Sequence, residues 1–127
     1  MREITRKSAN AFYDGKRYGN GNTTVSVVGE QVTLLLHGNP IARRQKTGKE
    51  VQVSACGWAT PTTKERLNGI SARVGACIWQ ENHVWYWQGP ASGGAVTLFP
   101  TSEGQWTTIH YGSNLEQLAR AKERQYE

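Results

Sequence analysis

Residues 23–55 read TTVSVVGEQVTLLLHGNPIARRQKTGKEVQVSA, and the period of this stretch decides the fold. Val25 and Val27 fall on one face of a run over Thr23–Val28. Val32, Leu34 and Leu36 then alternate with Thr33, Leu35 and His37, and Val51, Val53 and Ala55 repeat the pattern. Successive side chains of a strand point to opposite faces, so a period of two reads as half-buried strands. Gly29-Glu30, Gly38-Asn39 and Thr47-Gly48 punctuate the runs. A glycine at the first position of the first pair suits a type II′ hairpin. With a short strand over Ile41–Gln45, four runs joined by tight turns predict an antiparallel meander.

On the N-terminal side, Glu3 to Tyr13 has helical spacing, with Ile4, Ser8, Ala11 and Phe12 near one face and Asp14-Gly15 as the stop. Residues 16–22, KRYGNGN, read as an exposed loop. Beyond the meander, Thr62 and Glu65 have capping-box spacing, which predicts one or two helical turns over 60–69 with Leu67 buried and Asn68-Gly69 as the stop. A further strand places Val84 and Tyr86 on one face and His83, Trp85 and Trp87 on the other. Both faces are bulky, so this strand is central or has one face at an interface. A Gly/Ser loop at Pro90–Gly94 precedes two short strands at Ala95–Phe99 and Gln105–His110. Ser113 and Glu116 form a second capping box and open a helix running to Glu127. Its apolar stripe is thin, so the helix is expected to be peripheral or to serve in self-association. The expected fold class is α+β: an antiparallel meander of about five to seven strands with an N-terminal helix, a short middle helix and a C-terminal helix. The 127 residues fit a single domain spanning 1–127.

The net charge of +5 is unevenly spread. Residues 1–49 hold nine Lys/Arg against three acidic residues, and residues 50–127 carry a net −1. Such asymmetry steers anionic partners toward one face, although a charge of this size also simply keeps a small domain soluble. No apolar run approaches the ~18–20 residues of a spanning helix. The start, Met1-Arg2-Glu3-Ile4-Thr5-Arg6-Lys7, has no apolar stretch after it, so no secretory signal is expected. Cys56 and Cys77 form no metal-binding pair and are expected to be free, small and buried, with a disulfide only in an oxidising compartment.

Signals for catalysis are absent from the sequence. His37, His83 and His110 lack metal-ligand spacing, and Asp14 is the single aspartate, which argues against Ser–His–Asp and two-metal chemistry. No phosphate loop, nucleophile elbow or dinucleotide fingerprint is present. No catalytic residue, metal or cofactor is therefore assigned, and the reading leans away from an enzyme. Basic residues next to aromatic ones are the alternative signal. Lys16 and Arg17 sit in the glycine loop, and Arg43, Arg44 and Lys46 flank a tight turn. They are the expected electrostatic contacts, with Trp85 or Trp87 as an aromatic anchor. The same two tryptophans equally suit a core.

Met1–Phe12, the run Leu36-His37-Gly38-Asn39 followed by Ile41-Ala42-Arg43-Arg44, Gly57-Trp58 with Thr62-Thr63-Lys64-Glu65-Arg66-Leu67-Asn68, and Val84-Trp85-Tyr86 carry a resemblance. They resemble a family of short, functionally uncharacterised bacteriophage proteins, over about the first 88 residues. The segments after that look like additions to the short form. The resemblance brings no activity with it. It implies an accessory protein in the cytoplasm of an infected bacterium, acting by binding.

The leading expectation is a non-enzymatic phage accessory protein that binds nucleic acid or a host nucleoprotein complex, as a host-takeover or anti-defence factor. Neutralising Arg43 and Arg44 together is then expected to weaken binding while leaving the melting temperature nearly unchanged. The alternative is a protein–protein inhibitor or oligomeric module that uses the aromatic segment 74–112, with the C-terminal helix available for homo-oligomers. A further alternative is sequestration or hydrolysis of an anionic nucleotide signal by the histidines and arginines. No membrane partner is expected.

Overall fold

The computed structural model describes residues 2–54, 60–90, 92–98 and 106–111. The expected C-terminal helix over 113–127 lies outside the described residues, as do Ala55 and Cys56. Helix α1 (Glu3–Asp14) opens the chain and stops at Gly15, whose φ of 68° lets its N–H reach back to the Ala11 carbonyl. Strands β1 (Tyr18–Asn20), β2 (Thr23–Val28), β3 (Gln31–Leu36), β4 (Asn39–Gln45) and β5 (Glu50–Val53) follow as an antiparallel meander. Helix α2 (Pro61–Ala72) comes next, and then β6 (Cys77–Glu81), β7 (Val84–Gln88) and β8 (Val96–Thr97) form a second, smaller sheet. The chain then returns, and β9 (Thr107–Tyr111) joins the larger sheet beside β5. The architecture is thus α+β, with an antiparallel sheet of six strands, one of three strands and two helices among the described residues.

One face of the larger sheet is apolar. Val25, Val32, Leu34, Leu36, Ile41, Val51 and Val53 are buried in a common core with Phe12 and Tyr13 of α1 and Leu67 and Ile70 of α2. Trp85, Trp87, Ile78 and Leu98 carry that core into the smaller sheet. The buried face of α1 is centred on Thr5, Ser8, Ala9 and Phe12, and Ile4 lies only at its margin.

Several local expectations shift by a residue or two. Residues 18–20 are a strand and not a loop, because three of their positions pair with Thr23–Val25. The β3–β4 turn is His37-Gly38, with φ of 52° and 79°, and not Gly38-Asn39. Positive φ at both central positions is what a type I′ hairpin requires. Helix α2 starts at Pro61, and its cap is Thr60, whose hydroxyl accepts from the Thr63 N–H at 3.1 Å. Thr62 and Glu65 therefore do not form the capping box that their spacing suggests. Glu65 accepts instead from the Thr5 hydroxyl at 2.7 Å and from Arg66, while Arg66 also donates to Thr23 at 3.0 Å. This network ties α1, α2 and β2 together.

Nor does Asn68-Gly69 end α2, which runs on to Ala72. The Asn68 side-chain amide makes both backbone hydrogen bonds of Ile78, at 2.8 and 2.9 Å, and so pins α2 to β6. Gly69 is where α2 meets α1: a Cβ there would lie 2.5 Å from the Thr5 methyl. Cys77 is free but exposed, because it stands on the outward face of the smaller sheet.

Candidate functional site

Two arginines adjacent on a strand must diverge, and this alternation sets the geometry of the candidate site. Arg44 points inward and is 3% exposed. Its guanidinium closes the C-terminal end of α1, donating to the carbonyls of Phe12 at 2.9 Å and Tyr13 at 2.5 Å, and more weakly to Gln45 and Lys46 at 3.2 and 3.3 Å. It also lies 5.8 Å from the Phe12 ring centroid. A cation is favoured at a helix C-terminus, where unpaired carbonyls gather negative potential.

Arg43 points the other way, onto the face of the larger sheet turned from the helices. Ser26, Thr33, Arg43, Gln52 and Thr108 form one row across β2, β3, β4, β5 and β9. The Arg43 Nε donates to Gln52 at 2.8 Å, and Gln52 in turn donates to Thr108 at 3.4 Å. The guanidinium carbon sits 4.1 Å from the centroid of the Trp106 ring. Held from two sides, Arg43 keeps its terminal nitrogens without a hydrogen-bond partner among the described residues. Next to this row, Gln45 donates to Gln31, and Glu50 pairs in register with Tyr111. Gln31, Arg43, Arg44, Gln45, Gly48, Lys49, Glu50, Gln52 and Tyr111 line an open groove of about 720 Å³, although the Arg44 guanidinium itself is buried at the end of α1.

The other expected contacts lie elsewhere. Lys16 and Arg17 are exposed between α1 and β1. The Lys46 stem runs past Gly15, close enough that a Cβ on Gly15 would be 3.4 Å from its Cε. Lys16 and Lys46 therefore flank the C-terminal end of α1, and the basic residues split into two groups instead of one continuous electropositive face. Trp85 and Trp87 are 1% and 5% exposed and fill the core. The outward face of the smaller sheet carries instead Trp79 and Tyr86, paired across β6 and β7 and stacked with ring centroids 5.7 Å apart. The sequence reading took in Trp79, Tyr86, Trp106 and Tyr111 only as part of the aromatic segment 74–112, without singling them out, and did not name Lys49. For the first pair, strand alternation relative to the buried Trp85 and Trp87 is the signal that could have found them.

The histidines are not brought together. His37 is in the β3–β4 turn and His83 in the β6–β7 turn, while His110 lies on β9 opposite Val51 at the other end of the larger sheet. The Nε2 of His110 is buried without a partner among the described residues, and burial lowers its pKa from the usual histidine value. Among the described residues no group of three His, Cys, Asp or Glu could hold a metal ion, and no helix is long and apolar enough to cross a membrane.

Residues 1–114 match the family described as Kyanoviridae Gp96 protein, a cyanophage protein family. The match runs past residue 88, so the Gly/Ser loop and the strands after it belong to the family pattern and are not additions to it. No curated protein and no solved structure matches the chain.

Proposed function

The chain belongs to the Kyanoviridae Gp96 protein family, and from that premise we propose that it is a phage accessory protein that binds nucleic acid through the open face of its six-stranded sheet. The observation that carries this reading is Arg43, a cation in the middle of a polar row across the sheet, braced by Trp106 and Gln52 and with no hydrogen-bond partner for its terminal nitrogens among the described residues. Lys49 adds a second cation on the rim of the same groove. Such forked and point donors are suited to phosphate oxygens. Lys16, Arg17 and Lys46 lie outside the groove and contribute long-range attraction, which draws a polyanion toward the N-terminal half of the sheet. Arg44, Trp85 and Trp87 are structural in this reading, because their polar and aromatic atoms are enclosed by the chain itself. Interference with a host nucleoprotein or defence complex in the infected cell's cytoplasm is the role such binding would serve.

The test is titration of mixed-sequence labelled DNA and RNA oligonucleotides at several salt concentrations. Affinity should fall with salt, and Arg43→Gln with Lys49→Gln should reduce the slope of log K against log salt by roughly 1.5, about 0.7–0.9 for each phosphate contact removed. Absence of any binding at low salt sinks the reading.

The stacked Trp79–Tyr86 pair with the exposed Val84 supports a second reading, a protein–protein surface on the smaller sheet. Aromatic residues of this kind anchor protein interfaces. A salt-insensitive complex or homo-oligomer that is lost on Trp79→Ala would favour it.

A further inference from the structure

We propose that the groove on the larger sheet takes a single strand of nucleic acid and not a duplex, with one base stacked on the Tyr111 ring and the adjoining phosphates on Arg43 and Lys49. This rests on the nucleic-acid reading above and narrows it.

The first argument is shape. Reading a duplex through its major groove requires an element that enters it, a helix or a two-stranded ribbon, and binding in the minor groove by a sheet requires the duplex to be bent and widened. The groove here lies on a sheet in which β2, β3, β4, β5 and β9 run side by side, a surface too wide to enter. A sheet face of this kind can instead support unpaired bases splayed across it.

The second argument is charge. Arg43, Arg44 and Lys49 all line the groove, but the Arg44 guanidinium is buried against the carbonyls of Phe12 and Tyr13, so Arg43 and Lys49 are the cations open to a ligand, and Glu50 beside them offsets one. Two phosphate ridges of a duplex would find little to neutralise them, so most of the binding energy has to come from the bases. The groove offers what bases need. Tyr111 is 65% exposed, a large ring left in water at the groove wall. Gln31, Gln45 and Gln52 also line the groove and bring carboxamides to it. Each amide combines a donor pair with an acceptor, a match for the Watson–Crick edge, which only an unpaired base exposes. The Gln45–Gln31 and Gln52–Thr108 hydrogen bonds hold these amides in place before any ligand arrives. Arg43 is likewise fixed against Trp106, so little side-chain freedom is lost on binding.

The experiment is fluorescence anisotropy with one labelled sequence in three forms: single-stranded DNA, single-stranded RNA and duplex DNA. Both single strands, or one of them, should bind at least about tenfold more tightly than the duplex. Tyr111→Ala should weaken single-strand binding roughly 5- to 150-fold, the range for removing one stacking platform, and Tyr111→Phe should recover most of that loss. The melting temperature of each variant, measured alongside, should stay near that of the parent because Tyr111 is mostly in solvent. Equal or tighter binding of the duplex, or no effect of Tyr111→Ala on single strands, overturns this inference while the nucleic-acid reading stands. Failure of all three forms to bind overturns both. A preference between the DNA and RNA strands identifies which source of the single strand the groove takes.

Discussion

Replacing Arg43 and Arg44 one at a time by methionine should separate stability from binding in two adjacent residues. Arg44→Met keeps the stem volume and removes the donors that close α1. The two short bonds, to Phe12 at 2.9 Å and Tyr13 at 2.5 Å, carry the effect. Hydrogen bonds to a charged donor contribute about 1.5–3 kcal/mol each, and a cation at a helix C-terminus contributes about 0.3–1 kcal/mol more. Against this, the variant no longer has to keep a guanidinium out of water, which returns part of the loss. The net expected destabilisation is about 2–4 kcal/mol, or a fall in Tm of roughly 8–16 °C at about 4 °C per kcal/mol for a chain of this size. Arg43→Met loses one partly exposed bond to Gln52 and the contact with Trp106. Those are worth about 1 kcal/mol together, a few degrees at most. Thermal unfolding followed by circular dichroism, with urea midpoints as a check, measures both. If Arg44→Met melts within about 3 °C of the parent, or Arg43→Met falls as far as Arg44→Met, the assignment of one arginine to the fold and the other to the surface is wrong. The expected loss for Arg44→Met departs from the sequence-based expectation that both arginines can be neutralised with the melting temperature nearly unchanged, because the Arg44 guanidinium is buried at the end of α1.

Gly69→Ala should destabilise even though alanine is the better helix former. Helix propensity favours alanine by about 1 kcal/mol, but the new Cβ would lie 2.5 Å from a Thr5 methyl. The Thr5 hydroxyl is held by Glu65 and Arg66, so the methyl cannot rotate away freely, and overpacking of this kind costs about 1–3 kcal/mol. A urea midpoint above that of the parent would contradict the close approach of α1 and α2. His110 should give a pH signature. Burial lowers its pKa in the folded state below the usual 6.5, so the unfolded chain binds the proton first as pH falls. Its contribution to stability is complete above about pH 6.5 and declines below it. Urea midpoints taken from about pH 8 to about pH 5 should fall less steeply for His110→Gln than for the parent; parallel profiles would refute the lowered pKa of this half-buried imidazole.

The local rules were legible where the information is local. Alternation of Val32, Leu34 and Leu36 with Thr33, Leu35 and His37 identified β3 and its buried face. Gly15 and Gly29 marked real chain reversals because positive φ, 68° and 57° here, is a property of the residue itself. The same local logic erred by a residue or two wherever two signals competed. His37 took the first turn position that glycine was expected to hold, and Thr60 with Pro61 outbid Thr62 as the start of α2. Asn68-Gly69 looks like a stop, but serves two contacts between elements that no local window contains.

What the sequence determined by itself is therefore the meander, the N-terminal helix, the family pattern and the uneven charge. All of these follow from spacing and composition along a single stretch of chain. For β4 and β7, where the sequence left both faces open, which side meets water was decided only by packing in the folded chain. That choice turned Arg44 into a helix clamp and left Arg43 outside, and it sank Trp85 and Trp87 while Trp79 and Tyr86 stayed at the surface. The insertion of β9 beside β5 then brought Trp106 and Tyr111 to Arg43 and Lys49 from across more than fifty residues. Burial is set by whichever distant segment packs against a face, and so a site built on the uncovered face appears only in three dimensions.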